Sequence, residues 1–241
     1  GDQSIKLNNS NFVIAGGMEN MSLAPFYISK GRKGMKFGHG KLIDSIIQDG
    51  LWDPYNNILM GSCGEILSKE NNYSREDQDN YAIESYNRSR LAIKKGLFKN
   101  EITEVELDTK NGTKIIDTDE EPLKFNKDKL LSLKSAFNKN GSITAGNASS
   151  LSDGAAAVSL VSSKIASELP CKPIAKIIAQ ASYAMDPMYF TKAPIYAIKK
   201  VLQKSKLDIN DIDLFEINEA FSCVPLVAMD ELNISIDKLN I

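Results

Sequence analysis

A chain of 241 residues, 42% hydrophobic and 25% charged, has an ordinary globular balance, and it is long enough for one large domain or two modest ones. Its formal net charge of −2 argues against nucleic acid or an anionic membrane surface as the main partner, so a phosphate group must be met by a local basic cluster. No apolar run approaches the length of a membrane span, and no targeting segment is read at its start.

The cysteines Cys63, Cys171 and Cys223 are odd in number and widely spaced, which fits reduced thiols in an intracellular compartment better than a disulfide framework. The expected compartment is the cytoplasm, with the mitochondrion as the alternative. With His39 as the one histidine and no Cys-x-x-Cys pair, no structural zinc site is expected.

In chain order, residues 1–11 are polar and read as a surface loop. Residues 12–15 form a compact apolar run closed by Gly16-Gly17, a buried strand followed by a close backbone turn. Residues 22–40, with Pro25, glycines and a basic series, read as a solvated loop, and 42–48 as a short amphipathic segment ended by Asp49-Gly50. Ser74, with Asp77 three places on, opens the clearest helix. Tyr81, Ala82, Ser85, Tyr86, Ser89 and Ile93 form one face, Gly96 stops it, and Arg88, Lys94 and Lys95 are either phosphate anchors or a solvated helix face. Segments 101–107 and 113–116 alternate around Asn111-Gly112 as a hairpin, and 117–134 reads as an irregular surface excursion. Residues 155–161 suit a buried strand or a helix-to-strand transition, and Ser163 caps a short helix to Leu169. After a linker between Pro170 and Pro173, a strand is expected at 174–179 and a helix from Pro194 with the stripe Ile195, Ile198, Val201 and Leu202. A strand at 212–217 and a helix at 221–232 complete an alternating α/β pattern.

One stretch carries the chemistry, Asp213-Leu214-Phe215-Glu216-Ile217-Asn218-Glu219-Ala220-Phe221. Polar groups at the carboxyl end of a strand in an open sheet face a crevice. Asn218 could fix a water or donate to a developing oxyanion, Glu219 could orient a neighbour, and Phe221 could wall a pocket. The alternative is that Asn-Glu starts a turn and charges a helix N-terminus.

Asn218-Glu219-Ala220-Phe221 resembles the NEAF signature of the thiolases, and Val13-Ile14-Ala15-Gly16-Gly17-Met18-Glu19-Asn20-Met21-Ser22 resembles their VAGGMESMS segment. Asp49-Gly50-Leu51, Met60-Gly61-Ser62, Ala145-Gly146-Asn147-Ala148-Ser149 and Asp153-Gly154-Ala155-Ala156 resemble further blocks in the family's order. The resemblance implies layered αβα halves with an inserted mixed loop domain. Residues 1–21 would belong to the N-terminal half, 22–150 to the insertion, 151–172 to the end of that half and 173–241 to the start of the C-terminal half. A homo-oligomer, dimer or tetramer, is implied as well.

The resemblance also implies roles. Asn218 would hold the water that stabilises an enolate oxygen in the Claisen condensation of two acetyl-CoA to acetoacetyl-CoA, or its thiolytic reverse. Ser149 would hydrogen-bond the pantetheine arm of coenzyme A, with Ala145, Phe137, Met60, Ala220 and Phe221 along its tunnel. Coenzyme A enters as a thioester substrate, no prosthetic cofactor is implied, and potassium could sit at Tyr86 with the backbone of 145–148. The family's Cys-x-Ser-Gly, Gly-His-Pro and Cys-Asn-Gly-Gly motifs are expected outside these residues, so the chain alone is expected to be inactive.

Cys63 has no base or positive partner placed by the sequence, Cys171 and Cys223 read as buried small hydrophobes, and His39 reads as a surface residue. Leu59 stands where acetyl-CoA-specific members carry histidine, which keeps a longer-chain 3-ketoacyl-CoA thiolase open, whereas Asp186-Pro187 and Phe190 resemble the acetoacetyl-CoA branch. A catalytically dead CoA-binding relative is the non-enzyme alternative.

Overall fold

The computed structural model describes residues 1–170 and 172–241, so the expectation for Cys171 lies outside the described residues. The chain forms two compact units, one of Gly1–Trp52, Leu151–Ser182 and Ala197–Leu207, the other of Asp53–Ser150, Tyr183–Tyr196 and Asp208–Ile241.

The first unit is built on an antiparallel ribbon in which strand Phe12–Asn20 pairs with Asp153–Val161, from Phe12↔Val161 to Asn20↔Asp153. The expected turn at Gly16-Gly17 is absent, because the strand runs straight through both glycines. Gly16 is needed in the ladder itself, where a Cβ would stand 2.4 Å from the Ala156 carbonyl oxygen. The expected burial is also wrong: Ile14 and Met18 are 72% and 78% exposed. The opening segment approaches the ribbon, with a Cβ at Gly1 lying 3.3 Å from Val13 and Leu160. That segment is a helix, Asp2–Lys6, and not the expected loop, with Lys6 paired to Asp2 at 3.0 Å. The ribbon's far end is tied by Asp153, whose carboxylate accepts from Ser22 N at 2.9 Å and Ser22 Oγ at 2.6 Å.

Residues 22–40 are largely exposed, as expected of a loop, but contain strand Phe26–Ile28, which pairs with Leu42–Asp44. The expected amphipathic segment is therefore a short strand followed by one π-helical turn, Ile46–Leu51. Residues 174–179 form no ladder with any described residue, which removes the strand expected there. A short helix, Ser163–Glu168, is capped by Ser162, one place earlier than expected, through Ile165 N.

The second unit holds the larger core, formed by Cys63, Leu67, Ile143, Phe221, Cys223, Val224, Val227, Ala228 and Leu239. Helix Met60–Glu70, which the sequence pattern did not reveal, packs in this core with helix Cys223–Leu232. Gly61 and Gly64 permit that packing: added Cβ atoms would lie 2.3 Å from the Phe137 ring and 2.6 Å from Ile143 Cδ1. Helix Arg75–Lys94 carries the expected capping box between Ser74 and Asp77. It ends on Gly96 at φ +67°, with Gly96 N donating to Ile93 O and Leu97 N to Ala92 O. The expected hairpin is present as Val105–Thr109 and Gly112–Ile116, while the surface excursion after it contains helices Glu120–Lys124 and Lys127–Ser132. Helix Ala193–Ser205 begins one residue before Pro194. No helix among the described residues is long and apolar enough to cross a membrane.

Candidate active site

The expected strand at 212–217 is extended but not a strand; among the described residues its one backbone bridge is parallel, Phe215 to Leu239. Beyond Phe215 a side chain replaces the missing ladder partner. Asn240 Oδ1 accepts from Ile217 N at 2.8 Å and Asn240 Nδ2 donates to Ile217 O at 2.8 Å. Asn240 can face this way because its backbone is left-handed, at φ 49°, a region asparagine tolerates well.

Glu219 does not charge a helix N-terminus, since the helix begins only at Cys223. Its carboxylate turns inward instead. Oε1 accepts from Tyr81 Oη at 2.8 Å and from Asn240 Nδ2 at 2.8 Å, and Oε2 from Ser85 Oγ at 2.7 Å. Burial, and then the Glu219 charge, push the Tyr81 phenol well above its ordinary value, so it stays a neutral donor. Arg88 is no solvated residue: its Nη1 lies 3.2 Å from Ile236 O, 2.7 Å from Leu239 O and 3.3 Å from Asn240 O, which fixes the turn that presents Asn240.

The loop 141–149 is held by acidic and amide side chains from two helices. Glu65 accepts from Ser142 N, Ser142 Oγ and Ile143 N at 2.9, 3.0 and 2.9 Å. Asp79, bound to Arg75 Nε at 2.6 Å, accepts from Asn147 Nδ2 at 2.8 Å, and Asn147 Oδ1 accepts from Thr144 N at 2.8 Å. So held, the loop runs beside the segment of Asn218: Ala148 bridges Phe221, Ser149 N donates to Ala220 O at 3.0 Å, and Ser222 N donates to Asn147 O at 2.9 Å.

Most of the expected site residues meet here. Ser149 is exposed and donates its hydroxyl hydrogen to Glu219 O at 2.8 Å, which leaves its oxygen free to accept from an amide of a bound chain. Phe137 stands edge-on to Phe221, with ring centroids 6.0 Å apart, and contacts the helix turn that opens with Met60. Ala220 is half-buried beside Phe221, and Ala145 is exposed on the loop. Asn218 is exposed, and among the described residues its amide has no hydrogen-bond partner, so it is free to meet a ligand or water. Tyr86 is stacked on Phe125 at 4.8 Å, and burial with the charges of Glu121 and Glu219 raises its phenol above the ordinary value.

Both described cysteines are shielded from solvent. Cys63 and Cys223 are fully buried; burial raises both thiols, Cys223 to about 11. His39 is exposed. The described residues contain no cluster of His, Cys, Asp and Glu arranged for a metal. The crevice lined by Glu19, Asn20, Tyr27, Asp49 and Leu51 lies in the first unit and contains none of the expected site residues. The supporting residues Glu65, Asp79, Tyr81, Ser85, Asn147 and Asn240 were missed by sequence reasoning. Polar residues that are buried only by distant partners leave no local signal.

An exposed amide thus stands on a segment held by distant side chains, beside a small-residue loop and an aromatic pair. The family descriptions "Thiolase, N-terminal domain" and "Thiolase, C-terminal domain" match residues 1–164 and 171–241, and the chain belongs to the thiolase family. The acetyl-CoA acetyltransferase of Yarrowia lipolytica is 49% identical over 239 residues, 99% of this chain and 59% of that protein. The crystal structure of the Bacillus anthracis acetyl-CoA acetyltransferase matches with a TM-score of 0.93 and 36% identity over 98% of this chain and 60% of that one. Human mitochondrial 3-ketoacyl-CoA thiolase matches with a TM-score of 0.92 and 34% identity over 99% of this chain and 60% of its own. The fold is therefore the α/β fold of thiolases, and the chain spans about 60% of the length of these relatives.

Proposed function

We propose that the complete protein is an acetyl-CoA C-acetyltransferase. It would join two acetyl-CoA into acetoacetyl-CoA with release of one CoA, and run the thiolytic reverse. The observation that carries this reading is the Asn218 amide, presented free between two pinned neighbours in a thiolase-family chain. In the condensation an acetyl group is first held as a thioester, and the second acetyl-CoA loses an α-proton to become an enolate. The enolate carbon attacks the thioester carbonyl, the carbon–sulfur bond breaks, and the thiolate leaves. Asn218 supports the enolate oxygen through a held water, and a neutral amide does this without titrating. In this reading the thioester-forming and proton-abstracting groups come from outside these 241 residues, and the chain alone is inactive.

Ser149 accepts from a pantetheine amide, while Phe137, Phe221, Met60, Ala145 and Ala220 line the path of the arm. The coenzyme A thioester is the substrate and no prosthetic group is required. A potassium ion would bind beside Tyr86 and the backbone of 145–148, and the protein would be a dimer or tetramer in the cytoplasm or mitochondrion. The ribbon joining Phe12–Asn20 to Asp153–Val161 supports the reading of 22–150 as an insertion, with 1–21 and 151–172 in one half and 173–241 in the next.

A second reading, a longer-chain 3-ketoacyl-CoA thiolase, is favoured by Leu59 and by the likeness to the human mitochondrial enzyme. Thiolysis rates of the full-length protein on acetoacetyl-CoA and on longer 3-ketoacyl-CoAs separate the two. Preference for acetoacetyl-CoA is expected; preference for the longer substrates overturns the first reading, and no turnover of either removes both.

A further inference from the structure

Segment 217–220 is held at Ile217, Glu219 and Ala220, while the Asn218 side chain has no hydrogen-bond partner among the described residues. Asn240 grips both backbone polar groups of Ile217 at 2.8 Å, and Ser149 takes the carbonyls of Glu219 and Ala220. The Glu219 side chain is held by Tyr81, Ser85 and again Asn240. We propose that Asn240, through Ile217 and the Glu219 carboxylate, is a positioning residue that aims the Asn218 amide in the condensation step; this rests on the acetyltransferase reading above.

The chemistry of Asn240 suits the task. A neighbouring strand could bind Ile217 but could not also reach Glu219. One carboxamide does both, because its oxygen accepts from Ile217 N while its two amide hydrogens go to Ile217 O and Glu219 Oε1. The backbone polarity of Ile217 fixes which way round the amide lies. Asn240 thus restrains Asn218 from both sides in sequence, and it is itself fixed by its N–H to Phe215 O at 2.9 Å and by Arg88 on its carbonyl. Glu219 is gripped by hydroxyl and amide donors only, so Asn240 supplies one of the few bonds that stop the carboxylate turning outward and dragging the segment with it. A displacement of about 1 Å in a positioned group can cost on the order of a hundredfold in rate, and loosening one of several restraints costs less.

The test uses the full-length protein with Asn240→Ala, Asn218→Ala and the double variant. Three quantities are measured: the burst of CoA released on acylation by acetyl-CoA, the steady-state condensation rate, and the melting temperature. The expected result for Asn240→Ala is a condensation rate about tenfold lower with the acylation burst within about twofold of wild type. In the Asn218→Ala background the same change should lower condensation by less than about twofold, since nothing is left to aim. A tenfold loss in that background, or equal losses in both half-reactions, makes Asn240 a merely structural residue and overturns the proposal. Unchanged condensation in Asn218→Ala alone instead sinks the reading beneath it. Should Asn240→Ala fail to fold, Ser85→Ala removes one Glu219 donor without opening the core. A selective condensation loss of about threefold then supports the aiming role, and no selective loss overturns it.

Discussion

The ribbon of Phe12–Asn20 with Asp153–Val161 and the segment around Asn218 both carry family motifs beside apolar runs. They are built by opposite means. Nine successive residue pairs fix the ribbon through backbone register, and its side chains, Ile14 and Met18 among them, stand largely exposed. Among the described residues the Asn218 segment has only isolated bridges, at Phe215 and Phe221, and is fixed by side chains from three distant places: Tyr81 and Ser85, Ser149, and Asn240. A ladder spreads its restraint over many equivalent bonds, so no single side chain decides its position. A side-chain lattice concentrates restraint in a few groups and leaves one free amide aimed outward.

The contrast breaks first at Asn218. In the full-length protein Asn218→Asp keeps the shape but loses the amide donors and sets a carboxylate beside a developing enolate. Condensation should fall on the order of a hundredfold, about the worth of one oxyanion donor, while acylation and melting temperature change little. Burst acylation beside steady-state condensation measures this, and a large fall in melting temperature would make Asn218 structural.

The ribbon should respond in the reverse manner, through stability alone. Gly16→Ala places a Cβ 2.4 Å from the Ala156 carbonyl oxygen, a backbone atom that cannot rotate away. A loss of about 2 kcal/mol of unfolding free energy, read from the denaturant midpoint and slope, is expected, with the condensation rate per folded molecule unchanged. A neutral midpoint would show that the two strands part easily and that register is held elsewhere.

A smaller effect is expected at Ser149, which belongs to the lattice and also faces outward. Ser149→Ala should weaken CoA binding by about 1 kcal/mol, as for one neutral hydrogen bond, read by calorimetric titration. Unchanged affinity would leave Ser149 only its bond to Glu219 O.

The smallest effect lies at the tied end of the ribbon. The Ser22 hydrogen bonds hold the Asp153 carboxyl below its ordinary value of 3.8. A carboxyl lowered on folding adds stability above that ordinary value and loses it as pH falls through the lower, folded value. The melting difference between wild type and Ser22→Ala should therefore be present at neutral pH and shrink below about pH 4. A difference independent of pH would mean that the serine acts without the charge.

Local features were legible because their signals are contiguous. Ser74 with Asp77 gave the helix start, Gly96 its end, and Asn111-Gly112 the hairpin; each depends on atoms within a few residues and survives any tertiary context. The family motif around Asn218 was legible for the same reason, as an ordered string of residue types. The strand assigned to 212–217 failed because a strand needs a partner, and among the described residues only Leu239 pairs with it. The turn assigned to Gly16-Gly17 failed because the glycines answer a steric demand from Ala156, far along the chain.

The sequence by itself determined the start and stop of the helix Arg75–Lys94, the hairpin, the α/β class and the family motif that carries the Asn218 amide. Only the tertiary structure decided what holds that amide. Glu65 and Asp79 look like surface charges until the 141–149 loop offers them backbone and amide hydrogens. Glu219 looks like a helix-start charge until Tyr81, Ser85 and Asn240 surround it. Propensity and capping act between neighbours in the chain, whereas a buried polar group is stable only when distant donors arrive to satisfy it, and that is settled by folding.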